Sequence, residues 1–142
     1  MAHAEVSKLE QSLADALRMY GADLPEPVRE FRAVPDRKFR WDFGWPDARL
    51  LVEVQGGVYA KGRSAHSGAS LARDFEKLNL AARWGYRCLM FGPPDLRGRA
   101  LTTTVETIRR ALGSQEMEMP RVAPRTKVPR VPRVARVGRR AG

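Results

Sequence analysis

Two short runs of alternating residues, separated by a tight connection, constrain the fold of this chain more than any other feature. Large apolar side chains alternate with polar or small ones over 39–45, and three apolar residues alternate with Leu51, Glu53 and Gln55 over 50–55. An alternation of period two is typical of a strand with one apolar face. Only the sequence Pro-Asp-Ala-Arg separates the runs, so they are predicted to be adjacent strands of a β-hairpin.

A four-residue connection also predicts the register of this hairpin. With Trp45 facing Leu50, Asp42 would lie directly opposite Glu53, with the two Cβ atoms roughly 5 Å apart. Facing like charges destabilise a sheet, whereas a divalent cation bound between them reverses that effect, because Mg²⁺ prefers oxygen ligands. From the residues alone two interpretations stay open: a metal site, or a solvated sheet face on which Arg40 is the counter-ion.

The remaining pattern predicts an α/β domain in the order helix, three strands, helix, strand, helix. The second helix is expected to begin after Ser70 as its N-cap and to bury an apolar stripe at helical spacing. That stripe consists of Leu71, Phe75, Leu78 and Ala82. Outside the hairpin, helices are predicted over 5–20, 71–84 and 100–112, and strands over 29–34 and 86–91.

Basic residues are concentrated at the end of the chain. The formal net charge is +10, yet 120–142 holds eight basic and no acidic residues, which leaves 18 basic and 16 acidic residues before it. Pro-Arg-Val recurs there, and such a composition cannot build a packed core. We therefore predict one domain over 1–115 and a disordered basic tail over 116–142, which either binds phosphates or only keeps the protein in solution.

The bulk composition indicates the partner and the compartment. Arginine outnumbers lysine by 21 to 5, and its planar guanidinium suits phosphate, so nucleic acid is the expected partner. The single cysteine, Cys88, allows no internal disulfide, and no signal peptide or membrane-length apolar segment is visible. We expect a soluble cytoplasmic protein without membrane partners or small-molecule cofactors.

Taken together, the element order, Asp42 on the first hairpin strand and Glu53-Val54-Gln55 on the second resemble the PD-(D/E)XK nuclease superfamily. The resemblance covers about 5–112 and implies a restriction-endonuclease-like core, a mixed sheet flanked by helices. Its small size, the acidic residue in the first helix and the basic loop after the second hairpin strand make the chain most similar to archaeal-type Holliday junction resolvases, including phage-encoded relatives. Trp41 stands where the family has proline, and Gln55 where it usually has lysine.

The resemblance also implies a magnesium site and a hydrolytic reaction. Asp42, Glu53 and the backbone carbonyl of Val54 would hold Mg²⁺, for which Mn²⁺ can substitute, and Glu10 would complete the site directly or through water. The metal would polarise the scissile phosphate and lower the pKa of a bound water. Gln55 would position that water or contact the phosphate.

Other residues compete with two of these assignments. Glu10 follows Ser7 at the spacing of a capping box, in which it would only hydrogen-bond the start of the helix. Asp36 and Asp47 are rival carboxylates to Asp42, but both fall in predicted turns, where aspartate is common for its own backbone hydrogen bonds.

Basic residues on both sides of the hairpin are predicted to hold the DNA backbone. Such contacts position a protein without reading bases, which suits recognition of DNA shape. On the second helix, Lys77 could supply the positive charge that Gln55 lacks, although a lysine on an exposed helical face needs no special function. The predicted DNA-binding residues are Arg37, Lys38, Arg40, Lys61, Arg63, His66, Arg73 and Lys77.

The sequence thus predicts a Mg²⁺-dependent, structure-specific DNA endonuclease that resolves Holliday junctions. Paired nicks in a four-way junction need two sites, so the resemblance also implies a homodimer, with the last helix or the surface near Trp84 and Tyr86 as its interface. Two alternatives stay open: a restriction-like or mismatch-nicking endonuclease acting on duplex DNA, and a non-catalytic DNA-binding protein of the same fold.

Overall fold

The computed structural model describes residues 2–56 and 68–113, with side chains from Lys8 onward. The described chain is an α/β fold in which helices flank a four-stranded mixed sheet, in the predicted order α-β-β-β-α-β-α. The predicted tail and the loop residues Lys61, Arg63 and His66 lie outside the described residues. The elements are α1 (Ala2–Tyr20), β1 (Val28–Phe31), β2 (Trp41–Trp45), β3 (Leu50–Val54), α2 (Gly68–Arg83), β4 (Arg87–Phe91), a 3₁₀ turn (Pro93–Leu96) and α3 (Ala100–Gly113).

The predicted hairpin forms the centre of the sheet, whose strand order is β1-β2-β3-β4. Trp45 pairs with Leu50 and Phe43 with Val52, so the predicted register is confirmed along this part of the ladder. Beside it, β4 runs parallel to β3 and pairs along its whole length. Parallel strands need a crossover connection, and α2 lies within that connection.

Two cores lie on the two faces of the sheet, and the aromatic residues of β2 are divided between them. Phe43 belongs to the larger core, which the sheet forms with α1 and α3. Trp41 belongs to the smaller core, together with Leu51 and with Ala81 of α2. The prediction that Trp41 and Phe43 share one face is therefore wrong.

This departure from strict alternation has a local cause at Asp42. The Cα pairing of β2 with β3 ends at Phe43 and Val52, and the next backbone donor, the Val54 N–H, donates to the Asp42 carboxylate at 2.6 Å. A side-chain oxygen of β2 thus accepts the hydrogen bond that a backbone carbonyl of β2 would accept in a continuous ladder. As a result, Asp42 and Glu53 do not form the directly facing pair that a continued ladder would produce.

Helix α2 also differs from its prediction in its start and its orientation. It begins at Gly68, so Ser70 lies within its first turn. Leu71 and Phe75, expected to be buried, are 47% and 54% exposed, and Ala82 is exposed as well. The helix instead faces the sheet with Lys77 and Ala81, one turn apart, because the Lys77 side chain reaches Glu53 on β3.

No helix within 2–56 or 68–113 combines the length and the apolar character that a membrane span requires.

Candidate functional site

Three carboxylates, which we call the acidic group, meet where β2 begins. Glu10 of α1, Glu30 of β1 and Asp42 of β2 each offer an oxygen within 4.8 Å of the others. The hydrogen bond from the Val54 N–H holds the Asp42 carboxylate, which is half-buried, in a defined orientation. Two of the four predicted metal-binding residues, Glu10 and Asp42, are thus brought together.

The third member, Glu30, was not predicted from the sequence. Its backbone has a φ of 50°, in the left-handed region that non-glycine residues rarely adopt. This conformation interrupts β1 within its four residues, so the direction of the Glu30 side chain does not follow from an alternating pattern. No signal in the sequence indicates the left-handed turn, because Glu30 is neither glycine nor asparagine.

Within the acidic group, Glu10 holds its proton more tightly than an ordinary glutamate. Burial raises the pKa of Glu10 to about 7, and the charge of Asp42, a hydrogen bond to Asp42 and the charge of Glu30 act in the same direction. Arg29, 3.6 Å from Glu10, lowers this pKa but does not cancel the other effects. Because α1 begins at Ala2, Glu10 lies well inside the helix and the capping-box interpretation is wrong.

On the neighbouring strand β3, Glu53 forms an ion pair with Lys77 of α2. The Lys77 Nζ lies 2.7 Å from Glu53 Oε1 and 5.0 Å from the centroid of the Trp41 ring. Both side chains are largely buried, with 15% of Lys77 and 18% of Glu53 exposed. The second carboxylate oxygen, Glu53 Oε2, is buried and has no hydrogen-bond partner within the described residues.

This burial also changes how Glu53 binds its proton. Burial raises the pKa of Glu53 to about 7, although the charge of Lys77 and its hydrogen bond lower it. The charges of Asp42 and Asp74 raise the Glu53 pKa further. Glu53 therefore remains electrostatically coupled to Asp42 even though the two carboxylates lie in different groups.

The glutamine that follows this strand lies beside the ion pair. Gln55 lines a small pocket of about 20 Å³ together with Glu53, Lys77 and Trp41. Its backbone N–H donates to the Phe91 carbonyl at 2.8 Å, which continues the pairing of β3 with β4. The Lys77 ammonium thus lies next to the position at which the resemblance expects a lysine.

The predicted ligand set is divided, yet its chemistry fits a hard divalent cation. Glu10 and Asp42 lie in the acidic group, whereas Glu53 lies with Lys77. A buried carboxylate oxygen without a partner and three converging carboxylates both present oxygen donors, which Mg²⁺ and Mn²⁺ prefer. These residues therefore match such a cation in the type of their donor atoms and in their negative charge.

The predicted DNA-binding residues within the described chain have different surroundings. Arg37 pairs with Glu76 at 2.5 Å and packs over the Phe39 ring, so it links the connection before β2 to α2. Lys77 is largely buried in its ion pair. The remaining three, Lys38, Arg40 and Arg73, are exposed.

Comparison of this chain with models of protein families, with curated proteins and with solved structures found no match in any of the three.

Proposed function

We propose that this chain is a Mg²⁺-dependent, structure-specific DNA endonuclease with a restriction-endonuclease-like core. The observation that carries the proposal is the convergence of Glu10, Glu30 and Asp42 near a Glu53–Lys77 pair whose carboxylate is affected by the charge of Asp42. Two carboxyls with a pKa raised to about 7 at one end of a hairpin are unusual for purely structural residues. The element order around them agrees with the resemblance to the PD-(D/E)XK superfamily.

Within this proposal, carboxylates from both the acidic group and the Glu53–Lys77 pair would be ligands of the metal. Asp42 and Glu10 would be ligands from the acidic group, and the Val54 backbone carbonyl and Glu53 Oε2 would be ligands from β3, while Glu53 Oε1 stays with Lys77. When bound, Mg²⁺ polarises the scissile phosphate and lowers the pKa of a bound water. The Val54 N–H supports this arrangement by keeping the Asp42 carboxylate in one orientation.

Lys77 would take the role that the family gives to the lysine after the second acidic residue. Its ammonium favours the ionised form of Glu53 and lies in the same pocket as Gln55. A cation here would attract the substrate phosphate and stabilise the negative charge that develops during hydrolysis. The Gln55 amide cannot accept a proton at neutral pH, so its part is to position the water or the phosphate.

The proposed substrate is a four-way DNA junction, and the proposed active form is a homodimer. The exposed side chains Lys38 and Arg40 lie just before β2, and Arg73 lies on α2, so exposed cations are present near two of the elements that carry the site. Phosphate contacts of this kind do not read bases. They suit an enzyme that recognises the shape of branched DNA.

Cleavage of an immobile four-way junction, compared with a linear duplex of the same sequence, tests this proposal. With Mg²⁺ or Mn²⁺ we expect nicks in the junction and little cleavage of the duplex, and with EDTA we expect binding without nicks. Equal cleavage of both substrates would instead indicate a duplex-nicking endonuclease. Binding without nicks in either metal would favour the non-catalytic DNA-binding protein.

A further inference from the structure

A pocket of about 460 Å³ lies next to the acidic group and has no role in the reaction proposed above. It opens between the end of α1, the connection 21–27 and the first two strands. Its apolar lining includes Leu17, Leu24, Pro25 and Pro27. Pockets that take small organic groups span about 300–1,000 Å³ and are mostly apolar, so this pocket has a suitable size and wall.

Arg29 forms a flat cationic surface at the edge of this pocket. Its guanidinium carbon lies 4.4 Å from the centroid of the Phe43 ring, and its Nη2 lies 3.6 Å from Glu10 Oε2. Phe43 is fully buried, whereas the Arg29 side chain is 42% exposed. One face of the guanidinium therefore rests on an aromatic ring, and unpaired nucleobases stack on guanidinium planes of this kind.

The charged residues of the pocket favour a nucleobase over a phosphate. Besides Arg29, the lining holds Arg18, which pairs with Asp15 at 3.1 Å, and the carboxylate of Glu26. A carboxylate repels phosphate but accepts hydrogen bonds from the N–H groups of a base. Apolar walls, a guanidinium plane and one carboxylate together match a flat, neutral heterocycle that carries N–H donors.

We propose that this pocket holds one nucleobase that has left the stack of the bound DNA strand, with its ring on Arg29. Because Arg29 also contacts Glu10, the backbone of that nucleotide would lie close to the acidic group. The substrate class that fits is DNA with an unpaired or easily unstacked base, as at a branch point, a bulge or a mismatch. The inference rests on the proposed function in one respect, that the strand whose base is bound is the strand that is cut. Binding of the base itself needs neither metal nor cleavage.

Binding of the full-length protein to 2-aminopurine DNA in EDTA tests the inference. The probes are a duplex with one bulged 2-aminopurine, the fully paired duplex of the same sequence, and free 2-aminopurine deoxynucleotide. We expect the bulged duplex to bind about tenfold tighter than the paired one, as the stacking of one base predicts, with a rise in 2-aminopurine fluorescence. Equal binding of the two duplexes would overturn the inference, and so would free nucleotide binding as tightly as the bulged duplex.

Two variants and a matched control test whether the preference for the bulged duplex arises at this pocket. Arg29→Lys keeps the charge but removes the planar surface, and Ala22→Trp fills the pocket from an exposed position in its lining. Met19→Trp adds the same ring at a nearby residue that is 71% exposed and outside the lining. We expect the first two to lose the tenfold preference while still binding paired DNA, and the control to keep it.

The outcomes separate the inference from the proposed function. If Arg29→Lys and Ala22→Trp are folded by circular dichroism and keep the preference, the pocket does not hold the base. Wild-type protein that nicks junctions with Mg²⁺ but shows no preference in EDTA would overturn the pocket inference alone. Protein that shows the preference but never nicks would overturn the nuclease proposal and leave the pocket inference standing.

Discussion

The acidic group and the Glu53–Lys77 pair lie at the same end of the hairpin but balance their charges in different ways. Glu53 has an ammonium at 2.7 Å, whereas in the acidic group the cation beside Glu10 is Arg29, at 3.6 Å. Burial is the main cause of the raised pKa in both Glu10 and Glu53, to about 7. The fold thus places a cation in close contact with Glu53, whereas the cation beside the acidic group, Arg29, lies farther from its nearest carboxylate.

Asp42→Asn should have the largest effect on activity, because the proposed metal site would lose the charge of one of its ligands. The asparagine oxygen can still accept the Val54 N–H, so we expect the fold to persist. Nicking of the junction with Mg²⁺ should fall by roughly 10²–10³-fold, the range seen when one charge-stabilising group is lost from an active site. Binding in EDTA should change little.

Asp36→Asn is the matched control, since it makes the same chemical change in an exposed residue before β2. It should leave both nicking and binding near the wild-type values. Equal losses in the two variants would mean that total negative charge, and not the acidic group, sets the activity.

Lys77→Met should have the largest effect on stability, because it leaves Glu53 buried without a cation. We expect the free energy of unfolding to fall by about 2 kcal/mol at pH 8, somewhat below the usual value for a broken buried pair because neither side chain is completely buried. The loss should be smaller at pH 5, where Glu53 is protonated. Urea unfolding at the two pH values measures both quantities.

The double variant Lys77→Met with Glu53→Gln should recover part of that stability, since it removes both charges. Lys38→Met, at an exposed residue, is the control and should change stability by less than about 0.5 kcal/mol. A Lys77→Met loss that is the same at pH 5 and pH 8 would show that the lysine stem, and not its charge, stabilises the fold.

The metal-free protein should become less stable as the pH rises from 5 to 8. Folded Glu10 and Glu53 keep their protons up to a pKa of about 7, whereas in the unfolded chain they release them near the ordinary value of 4.5. Between these values the folded state binds more protons, so the free energy of unfolding falls with pH and levels off above about 7. Glu10→Gln should remove part of this slope in urea titrations in EDTA, and a free energy of unfolding that rises over the same range would contradict the assignment.

Gln55→Lys should have the smallest effect, although it restores the residue that the family usually has. Lys77 already lies in the same pocket as Gln55 and Glu53, so a second ammonium would share one carboxylate with the first. We expect nicking to change by less than tenfold and the free energy of unfolding to fall by about 1 kcal/mol or less. The exchange Gln55→Lys with Lys77→Gln should remain active, whereas Lys77→Gln alone should not.

Much of the fold and part of the candidate site could be predicted from local patterns. The register of Trp45 with Leu50 follows from period-two alternation and a four-residue connection, both of which are local in the chain. The position of Asp42 on the first hairpin strand could also be predicted, but the directly facing pair that it was expected to form with Glu53 is absent from the pairing. The hydrogen bond from the Val54 N–H to the Asp42 carboxylate could not be predicted, because an alternating pattern carries no information about a side-chain acceptor in the ladder.

The sequence by itself determined the order of the elements, the pairing of the central hairpin near its connection and the presence of Asp42 and Glu53 on its two strands. Only the tertiary structure decided how those carboxylates are grouped. Glu30, with its left-handed backbone, joins the acidic group, and α2 faces the sheet with Lys77 and Ala81 while Leu71 and Phe75 are exposed. These outcomes depend on charges and donors that are distant in sequence, and a helical or alternating period carries no information about them.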